Sequence, residues 1–466
     1  MASGHEGVGV NRRPEGVSRW ESIPAPSGPS PPELLSHPAT PNYSEEAEGS
    51  LSRSAHSKAL KLVLLTDRFL PHAGSSRVYY YSLYKNLVSQ YPDQVTVLTK
   101  KVPGWQEFDR RESGVLLKIV RRFHPLPHLK YRQLLKIVFP LADSIRFVRK
   151  NQVDLIHAGD LYPQGLIGLV LKHVFGIPYI AYSHGGEVTQ MDQRRYQHLV
   201  RDRIYHQADA VVAVGGFAQK QLLRIGIPES RICKITPGVD CERFSPRSPR
   251  EDLVRRFSLQ DKKVLLTVAR LYPRKGHDIA LQAIARIRAE FPDLRYLIVG
   301  EGPEEARLRR MAAELGLADT VTFVGHVPIE ELPGFYHLCD LFVMPNREEP
   351  DGDVEGFGMV FLEANATGKA VVGGRSGGVL DAILHTQTGL LVKPKDVEGW
   401  AATIKLLLSN PNLCHQMGAR GLDRARAEFS WKSRAMQLHQ LSREVVQATR
   451  QKAWEKAPRV SSPQTS

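Results

Sequence analysis

The chain has 466 residues, of which 42% are hydrophobic, a composition that suits two ordinary domains and excludes a chain disordered throughout. Its 63 Lys and Arg against 49 Asp and Glu give a formal net charge of +14, which favours anionic partners such as phosphate esters, anionic lipid or nucleic acid. The 4 cysteines show no Cys-x-x-Cys spacing, which argues against a disulfide scaffold or a zinc site and predicts a cytoplasmic location. Since no apolar run is long enough to span a bilayer and no signal-peptide pattern is present, we expect any membrane contact to be peripheral, on the inner face.

The two ends of the chain differ in composition from its middle. Residues 1–57 are rich in proline, serine and glycine, and residues 455–466 are polar with two prolines. Such segments bury too little apolar surface to offset the entropy of ordering them. We therefore predict a disordered tail at each end.

Between the tails, short apolar runs alternate with segments of helical period, the pattern of a doubly wound parallel sheet. A first set of strands is predicted at Lys61–Thr66, Gln94–Thr99, Leu116–Arg121, Leu155–Ala158, Tyr179–Ser183 and Ala210–Val214. After a proline-containing break at Pro237–Arg250, a second set is predicted at Lys263–Ala269, Arg295–Gly300, Val321–Gly325, Leu341–Pro345, Ala370–Gly373 and Gly389–Val392. The pattern predicts an α/β protein with two Rossmann-like domains, residues 58–240 and 241–430, followed by a helix at 431–454. Ligands bind beyond the carboxyl ends of such strands, so a cleft between the domains is the expected site.

The segment 121–150 is strongly basic and contains a predicted helix. Leu134, Ile137, Val138, Leu141, Ile145 and Val148 recur at helical spacing, while Lys136, Arg146 and Arg149 lie off that stripe. This pattern fits an interfacial helix that docks on anionic lipid headgroups. It also fits an ordinary amphipathic helix with its apolar face in the core, which is the commoner use of the pattern.

Two cations follow the first strand of the second domain. Arg270 and Lys275 leave the strand end together with Gly276. In that position they would stabilise the negative charge of a departing diphosphate. The alternative is a pair of solvated charges in a loop.

The most informative stretch is Glu355-Gly-Phe-Gly-Met-Val-Phe-Leu-Glu363, which leads into a helix. Its glycines permit a tight loop, and the amides of Phe357, Gly358, Met359 and Val360 would lie at a helix N-terminus, where unpaired N–H groups attract a diphosphate. Glu355 precedes the helix and Glu363 is expected about two turns inside it, so both carboxylates would face one ligand. The alternative is a glycine-rich helix start with incidental glutamates.

These segments together resemble glycosyltransferase family 4, and within it the phosphatidylinositol mannosyltransferases of actinobacteria. The resemblance extends over nearly all of residues 60–430. It rests on Arg270-x4-Lys275, Val299–Pro303, Thr322–Gly325, Glu355-x7-Glu363, Ser376–Asp381 and Thr388–Val392. It implies the GT-B fold, in which the two Rossmann-like domains face each other across a cleft.

The resemblance also assigns roles to individual residues. Arg270 and Lys275 would hold the donor diphosphate, Glu355 would contact the transferred sugar, and Glu363 would contact the ribose. The backbone of Gly356, Phe357, Gly358, Met359 and Val360 would hold the β-phosphate and the sugar. In the first domain, His184 of the Tyr182–Val188 segment would lie near the reacting face of the sugar; a lone histidine at a strand end is more often structural, but the Gly185-Gly186-Glu187 that follows favours function.

This sequence departs from the family pattern at three places. In the loop after the first strand, Gly74 would let the backbone approach donor and acceptor, but Ser75 stands where the family usually has a second glycine. A first-domain helix begins with Gly215-Gly216 where serine is usual. Asp381 replaces the commoner glutamate, as it does in the mannosyltransferase-like members.

The resemblance predicts a retaining glycosyltransferase that moves a hexose from a nucleotide sugar to a lipid-linked or saccharide acceptor. GDP-mannose is the first choice of donor, and UDP-sugars follow. No metal or other cofactor is expected, because two cations would neutralise the diphosphate, and no nucleic-acid-binding motif is present. An epimerase or a non-catalytic nucleotide-sugar binder of the same fold stays open as an alternative, and a phosphorylase is disfavoured by the length of the chain.

Overall fold

The computed structural model describes residues 58–71, 74–112, 117–123, 132–192 and 197–456, so the predicted tail at 1–57 and most of that at 455–466 lie outside it. Within these residues the first sheet has seven parallel strands in the order β3-β2-β1-β4-β5-β6-β7. Their bounds are Lys61–Leu65 (β1), Gln94–Lys100 (β2), Lys118–Phe123 (β3), Leu155–Ala158 (β4), Tyr179–Ser183 (β5), Ala210–Ala213 (β6) and Ile232–Lys234 (β7).

Helices cover both faces of this sheet. They are Ser75–Gln90 (α1), Trp105–Glu112 (α2), Arg132–Lys150 (α3), Leu166–Phe175 (α4), Gly186–Asp192 (α5), Gln197–Gln207 (α6) and Gly216–Arg224 (α7). In α1, Tyr79, Tyr80, Leu83 and Leu87 recur on one face and are buried. Their burial shows that this stripe packs in the core.

The second sheet has six parallel strands among the described residues, in the order β10-β9-β8-β11-β12-β13. The strands are Lys263–Val268 (β8), Leu294–Val299 (β9), Val321–Gly325 (β10), Leu341–Met344 (β11), Ala370–Gly374 (β12) and Gly389–Val392 (β13). The helices are Glu251–Arg256 (α8), His277–Ile287 (α9), Glu305–Glu314 (α10), Leu332–Leu338 (α11), Met359–Ala366 (α12), Val379–Ala382 (α13), Val397–Ser409 (α14) and Pro411–Glu428 (α15). The winding reverses between β1 and β4 and between β8 and β11, which places a crevice at the carboxyl ends of those strands.

The two-sheet α/β architecture is confirmed, with two local differences. The third strand begins at Lys118 rather than Leu116, a residue outside the described part. β7, which pairs with β6, was not predicted, because its three residues are only partly buried or exposed and form no apolar run.

The last helix, Trp431–Lys456 (α16), packs against α1 of the first sheet. The buried Asp93 carboxylate accepts a hydrogen bond from the Leu60 amide at 3.0 Å and lies 2.6 Å from the Nδ1 of His439. The Trp431 and Tyr79 rings have centroids 6.0 Å apart. Polar and aromatic contacts therefore fix the end of the chain on the first sheet.

The basic segment 121–150 divides into unlike parts. Arg121 is buried and pairs with Asp109 at 2.8 Å, so it is no part of a basic surface. In α3, Leu141, Ile145 and Val148 pack against the core, as the amphipathic-helix interpretation expects. Val138, predicted on the apolar stripe, is instead 45% exposed, and its neighbour Phe139 is 53% exposed, because both lie on the outer side of the helix. No helix in the described part of the chain has the length and apolarity to cross a membrane.

Candidate active site

The centre of the site is a buried ion pair at the carboxyl ends of β8 and β11. A short turn at Pro273–Lys275 follows β8, and Gly276 after it has a φ of 70°. Lys275 is 7% exposed and its Nζ donates to the Oε2 of Glu355, which is 6% exposed. Arg274 adds a second cation, with its Nε 4.0 Å from the same oxygen.

The electrostatics of the pair favour a charged Glu355. Burial opposes the charge, but Lys275 and then Arg274 outweigh it and lower the pKa of the Glu355 carboxyl. Burial also lowers the pKa of the Lys275 ammonium, and Glu355 acts against that shift. Each charge is thus stabilised by its partner in surroundings that exclude water. Because the dielectric constant is low there, an anion that competes with Glu355 for Lys275 would interact strongly with the ammonium.

The loop between β11 and α12 ends at Gly358, whose φ of 89° lies in the left-handed region that favours glycine. Because this conformation stops the helix from extending backwards, α12 begins at Met359. The amides of Met359 and Val360 belong to its first turn and have no intrahelical acceptor. They lie at the helix N-terminus, where the sequence predicts an anion site.

Glu363 lies one turn inside α12, so the expected two turns were wrong: the residues from Glu355 to Gly358 are loop rather than helix. Its carboxylate accepts a hydrogen bond from the hydroxyl of Tyr336 at 2.6 Å. Burial raises the pKa of the Glu363 carboxyl, and the Tyr336 hydrogen bond acts against that shift. The Tyr336 contact fixes the Glu363 side chain against α11.

His184 follows β5 and lies against the buried Tyr80, whose hydroxyl is 2.9 Å from the histidine Nε2. Burial and the nearby Arg68 lower the pKa of the His184 imidazole to about 4, so the ring is neutral near pH 7. Glu187 closes the loop by accepting hydrogen bonds from the Ser183 hydroxyl at 2.7 Å and the His184 amide at 2.8 Å. The Gly-Gly-Glu that follows His184 therefore orients it.

Loops of the two sheets meet at this point. A Cβ atom on Gly356 would come within 2.8 Å of the His184 carbonyl oxygen, so glycine allows the loops to touch. The Thr189 hydroxyl donates to the Gly352 carbonyl at 2.7 Å. The two loops that carry His184 and Glu355 thus share one cleft.

Gly74 precedes α1 with a φ of 149°, and a Cβ there would lie 3.1 Å from an Arg77 nitrogen. Sequence reasoning did not single out Arg77, yet burial and then the positive charges of Arg270 and Arg68 lower the pKa of its guanidinium. Three arginines from two sheets therefore approach the same region. The signal available in the sequence was a pair of arginines, Arg68 in the loop after β1 and Arg77 in the first turn of α1, which match no motif of fixed spacing.

Within the described residues, no group of three His, Cys, Asp or Glu side chains is arranged to hold a metal ion. Three cationic side chains lie near this site, namely Arg270, Arg274 and Lys275, and Arg270 stacks over the ring of Tyr272 at 4.8 Å from its centroid.

Two family models match the chain: "Glycosyltransferase Family 4" over residues 76–243 and "Glycosyl transferases group 1" over residues 250–424. A GDP-mannose-dependent alpha-(1-6)-phosphatidylinositol monomannoside mannosyltransferase from Mycolicibacterium smegmatis is 32% identical over 386 residues, covering 82% of this chain and 97% of the relative. The Mycobacterium tuberculosis protein of that name is 30% identical, covering 81% and 97%. This chain belongs to the same glycosyltransferase family.

The fold of this glycosyltransferase also matches solved structures. Sucrose-phosphate synthase from Thermosynechococcus elongatus superposes with a TM-score of 0.68 at 24% identity, over 84% of this chain and all (100%) of that one. The two facing parallel sheets are those of the GT-B fold.

Proposed function

We propose that this glycosyltransferase transfers mannose from GDP-mannose, with retention of configuration, to a lipid-linked acceptor of the phosphoinositide class. The observation that carries the proposal is the buried Lys275–Glu355 pair, which lies just before the N-terminus of α12 and suits the binding of an anion where loops of the two sheets meet. The choice of donor and acceptor is supported by relatives named for GDP-mannose and phosphatidylinositol monomannoside, which match along almost their whole length.

In the proposed reaction the bond from the sugar C1 to the diphosphate oxygen breaks on the same face on which the acceptor oxygen attacks. The acceptor hydroxyl forms the new bond to C1 and passes its proton to a diphosphate oxygen. Arg270, Lys275 and the first-turn amides of α12 stabilise the developing negative charge. Since these groups supply the compensating charge, the mechanism uses no metal ion.

The remaining site residues position the sugar and the nucleotide. Glu355 accepts hydrogen bonds from sugar hydroxyls beside Lys275, and Glu363 accepts them from the ribose. The neutral His184 lies where the loops of the two sheets meet, near the reacting face of the sugar. Gly74 and Gly356 let the backbone approach the donor.

Donor choice is tested by the thermal stability of the protein with GDP-mannose, UDP-glucose, UDP-N-acetylglucosamine and ADP-glucose in turn. A ligand that binds only the native state stabilises that state, by about 2.7 kcal/mol when the free ligand concentration is 100 times Kd, and therefore raises Tm. We expect GDP-mannose to give the largest shift. A larger shift with a UDP-sugar would keep the enzyme class and change the donor, and no shift with any nucleotide sugar would contradict the proposal.

Product analysis separates the remaining alternatives. NMR of GDP-mannose incubated with the protein alone would show a new sugar nucleotide if the enzyme were an epimerase, and no reaction with any acceptor would favour a binding protein. With a phosphatidylinositol acceptor we expect an α-mannosyl product. A β-linked product would contradict retention.

We further propose that α3 places the enzyme on an anionic membrane surface. Val138 and Phe139 are exposed beside the exposed Lys136, and Arg146, Arg149 and Lys150 are exposed further along the helix. Two apolar side chains together with cations suit the headgroup region of a bilayer.

The double variant Val138→Asp/Phe139→Asp is expected to bind anionic vesicles several-fold more weakly than the native chain. Co-sedimentation measures the binding, with vesicles of roughly 30% anionic lipid so that the electrostatic attraction is strong. Both side chains face solvent, so the fold should be unaffected. The control is Leu223→Asp, at a position 41% exposed on α7. Equal vesicle binding by all three proteins would refute the docking role of α3.

A further inference from the structure

A groove of about 750 Å³ lies at the carboxyl ends of β11, β12 and β13. The loop that carries Glu355 lies between this groove and the end of β8. We call it the β13 groove. Its walls include Phe217, Arg347, Arg375, Ser376, Lys393 and Lys395. The roles proposed above for the donor use none of these residues.

Three of the cations that line the β13 groove have no carboxylate partner in the part of the chain that the structure describes. Arg375, Lys393 and Lys395 are exposed, and none of them lies within ion-pair distance of a carboxylate of the described residues. Arg347 is different, because Asp278 at 2.7 Å and Glu349 at 2.6 Å already hold its guanidinium. Three uncompensated charges at the ends of adjacent strands create a positive potential in the groove.

Two acidic residues on the rim, Glu348 and Asp396, offset part of that potential but are fewer than the three cations. Asp396 lines the groove, but its Oδ1 accepts a hydrogen bond from the Gly399 amide at 2.9 Å at the start of α14. Glu348 is exposed on the same wall. The groove therefore retains an excess of positive charge.

Ser376 supplies a second, independent observation. It is 9% exposed, and its Oγ has no hydrogen-bond partner among the described residues. A buried hydroxyl without a partner costs free energy, and a ligand oxygen in the groove would remove that cost. The hydroxyl and the three cations together match the several acceptor oxygens of a phosphate group.

Both sheets contribute to the groove. Phe217, in the first turn of α7, packs so closely on Gly185 that a Cβ there would lie 2.6 Å from its ring. Ser376 precedes Gly377 and Gly378, and the Gly378 amide donates to the Glu355 carbonyl at 2.8 Å. A ligand in the groove therefore contacts segments that adjoin both His184 and Glu355.

We propose that the β13 groove is a binding site for a phosphate ester, distinct from the site of the donor diphosphate. Arg375, Lys393 and Lys395 hold the phosphate, Ser376 donates its hydroxyl, and Phe217 and the exposed Leu380 contact the organic part of the ligand. The phosphate comes either from a free phosphorylated metabolite or from the phosphorylated headgroup of a lipid. The inference concerns binding and stands independently of which sugar the enzyme transfers.

The test is a titration of the full chain with inorganic phosphate at constant ionic strength, in the presence of saturating GDP so that the donor diphosphate site is filled. A second arm measures binding to phosphatidylinositol vesicles against phosphatidylcholine vesicles. Both arms compare the native chain with Arg375→Glu/Lys393→Glu and with the control Lys452→Glu, at an exposed position on α16. Circular dichroism establishes that each variant is folded, and Lys393→Gln/Lys395→Gln replaces the first variant if it is not.

We expect saturable binding in at least one arm, weakened at least about tenfold in the groove variant and unchanged in the control, because two charge-assisted contacts are reversed. If the groove variant loses binding of inorganic phosphate, the ligand is a free phosphate ester. If the groove variant loses only the binding to phosphatidylinositol vesicles, the ligand is the lipid headgroup. Binding that is equal in the native chain and the groove variant, or absent from both arms, would overturn the proposal.

Discussion

Replacing Lys275 by alanine is expected to lower kcat/KM for glycosyl transfer by about 10³-fold, or ~4 kcal/mol. Its Nζ is buried beside Glu355, just before the N-terminus of α12, and is shielded from bulk solvent. Because negative charge on the diphosphate grows as the C1–O bond breaks, we expect the loss to appear mainly in kcat. Steady-state kinetics with varied GDP-mannose measures both constants.

The variant should remain folded, since the Nε of Arg274 stays 4.0 Å from Glu355 and the carboxyl can take up a proton once its main partner is removed. A suitable control is Lys452→Ala, which removes an exposed lysine of α16 and should retain full activity. Turnover of Lys275→Ala within a few-fold of the native rate would show that another group stabilises the leaving diphosphate.

The sheets were predictable because strands buried on both faces read as continuous apolar runs. Val-Leu-Leu-Thr-Val in β8 is buried throughout and Leu-Phe-Val-Met in β11 is too. β7 gave no such signal, because Ile232 and Cys233 are only partly buried and Lys234 is exposed at the edge of the sheet. Burial on two faces, and not strand propensity, decided which strands could be found.

The grouping of the predicted site residues in the second sheet could be anticipated for a related reason. Arg270, Lys275, Glu355 and the α12 amides all follow strand ends, and such ends meet at one edge of a parallel sheet. The contact between Tyr336 and Glu363 was not predictable, because it depends on how α11 and α12 pack rather than on either local sequence. The same holds for the approach of Arg77 to Arg270 from opposite sheets.

Two departures from the family pattern prove to touch each other. The Gly216 amide donates to the Asp381 carboxylate at 2.8 Å, across 165 residues of sequence. A Cβ on Gly216 would lie 2.8 Å from the other Asp381 oxygen, so a serine at this position would crowd that carboxylate. The glycine and the aspartate are therefore one feature of the contact between the two sheets, which inspection of each position separately did not reveal.

Glu355→Gln is expected to lower kcat/KM by about 10²-fold, because the amide keeps the shape of the carboxylate but loses its charge-assisted contacts. The pH dependence gives a sharper readout. Burial lowers the pKa of Lys275 and Glu355 opposes that shift, so removing the carboxylate lowers the lysine pKa further. Lys275 then loses its proton at a lower pH, and the residual activity of the variant should fall on the alkaline side before that of the native enzyme does.

A double-mutant cycle decides whether the pair acts as one unit. If Lys275 and Glu355 maintain each other's charge, Lys275→Ala/Glu355→Gln should be no slower than Lys275→Ala alone, since the carboxylate has no ammonium left to support. If Glu355 acts mainly through the sugar hydroxyls, its loss should add a further factor of about 10² in the double variant. An alkaline limb of Glu355→Gln that coincides with the native one would favour this second outcome, because the lysine pKa would then not depend on its partner.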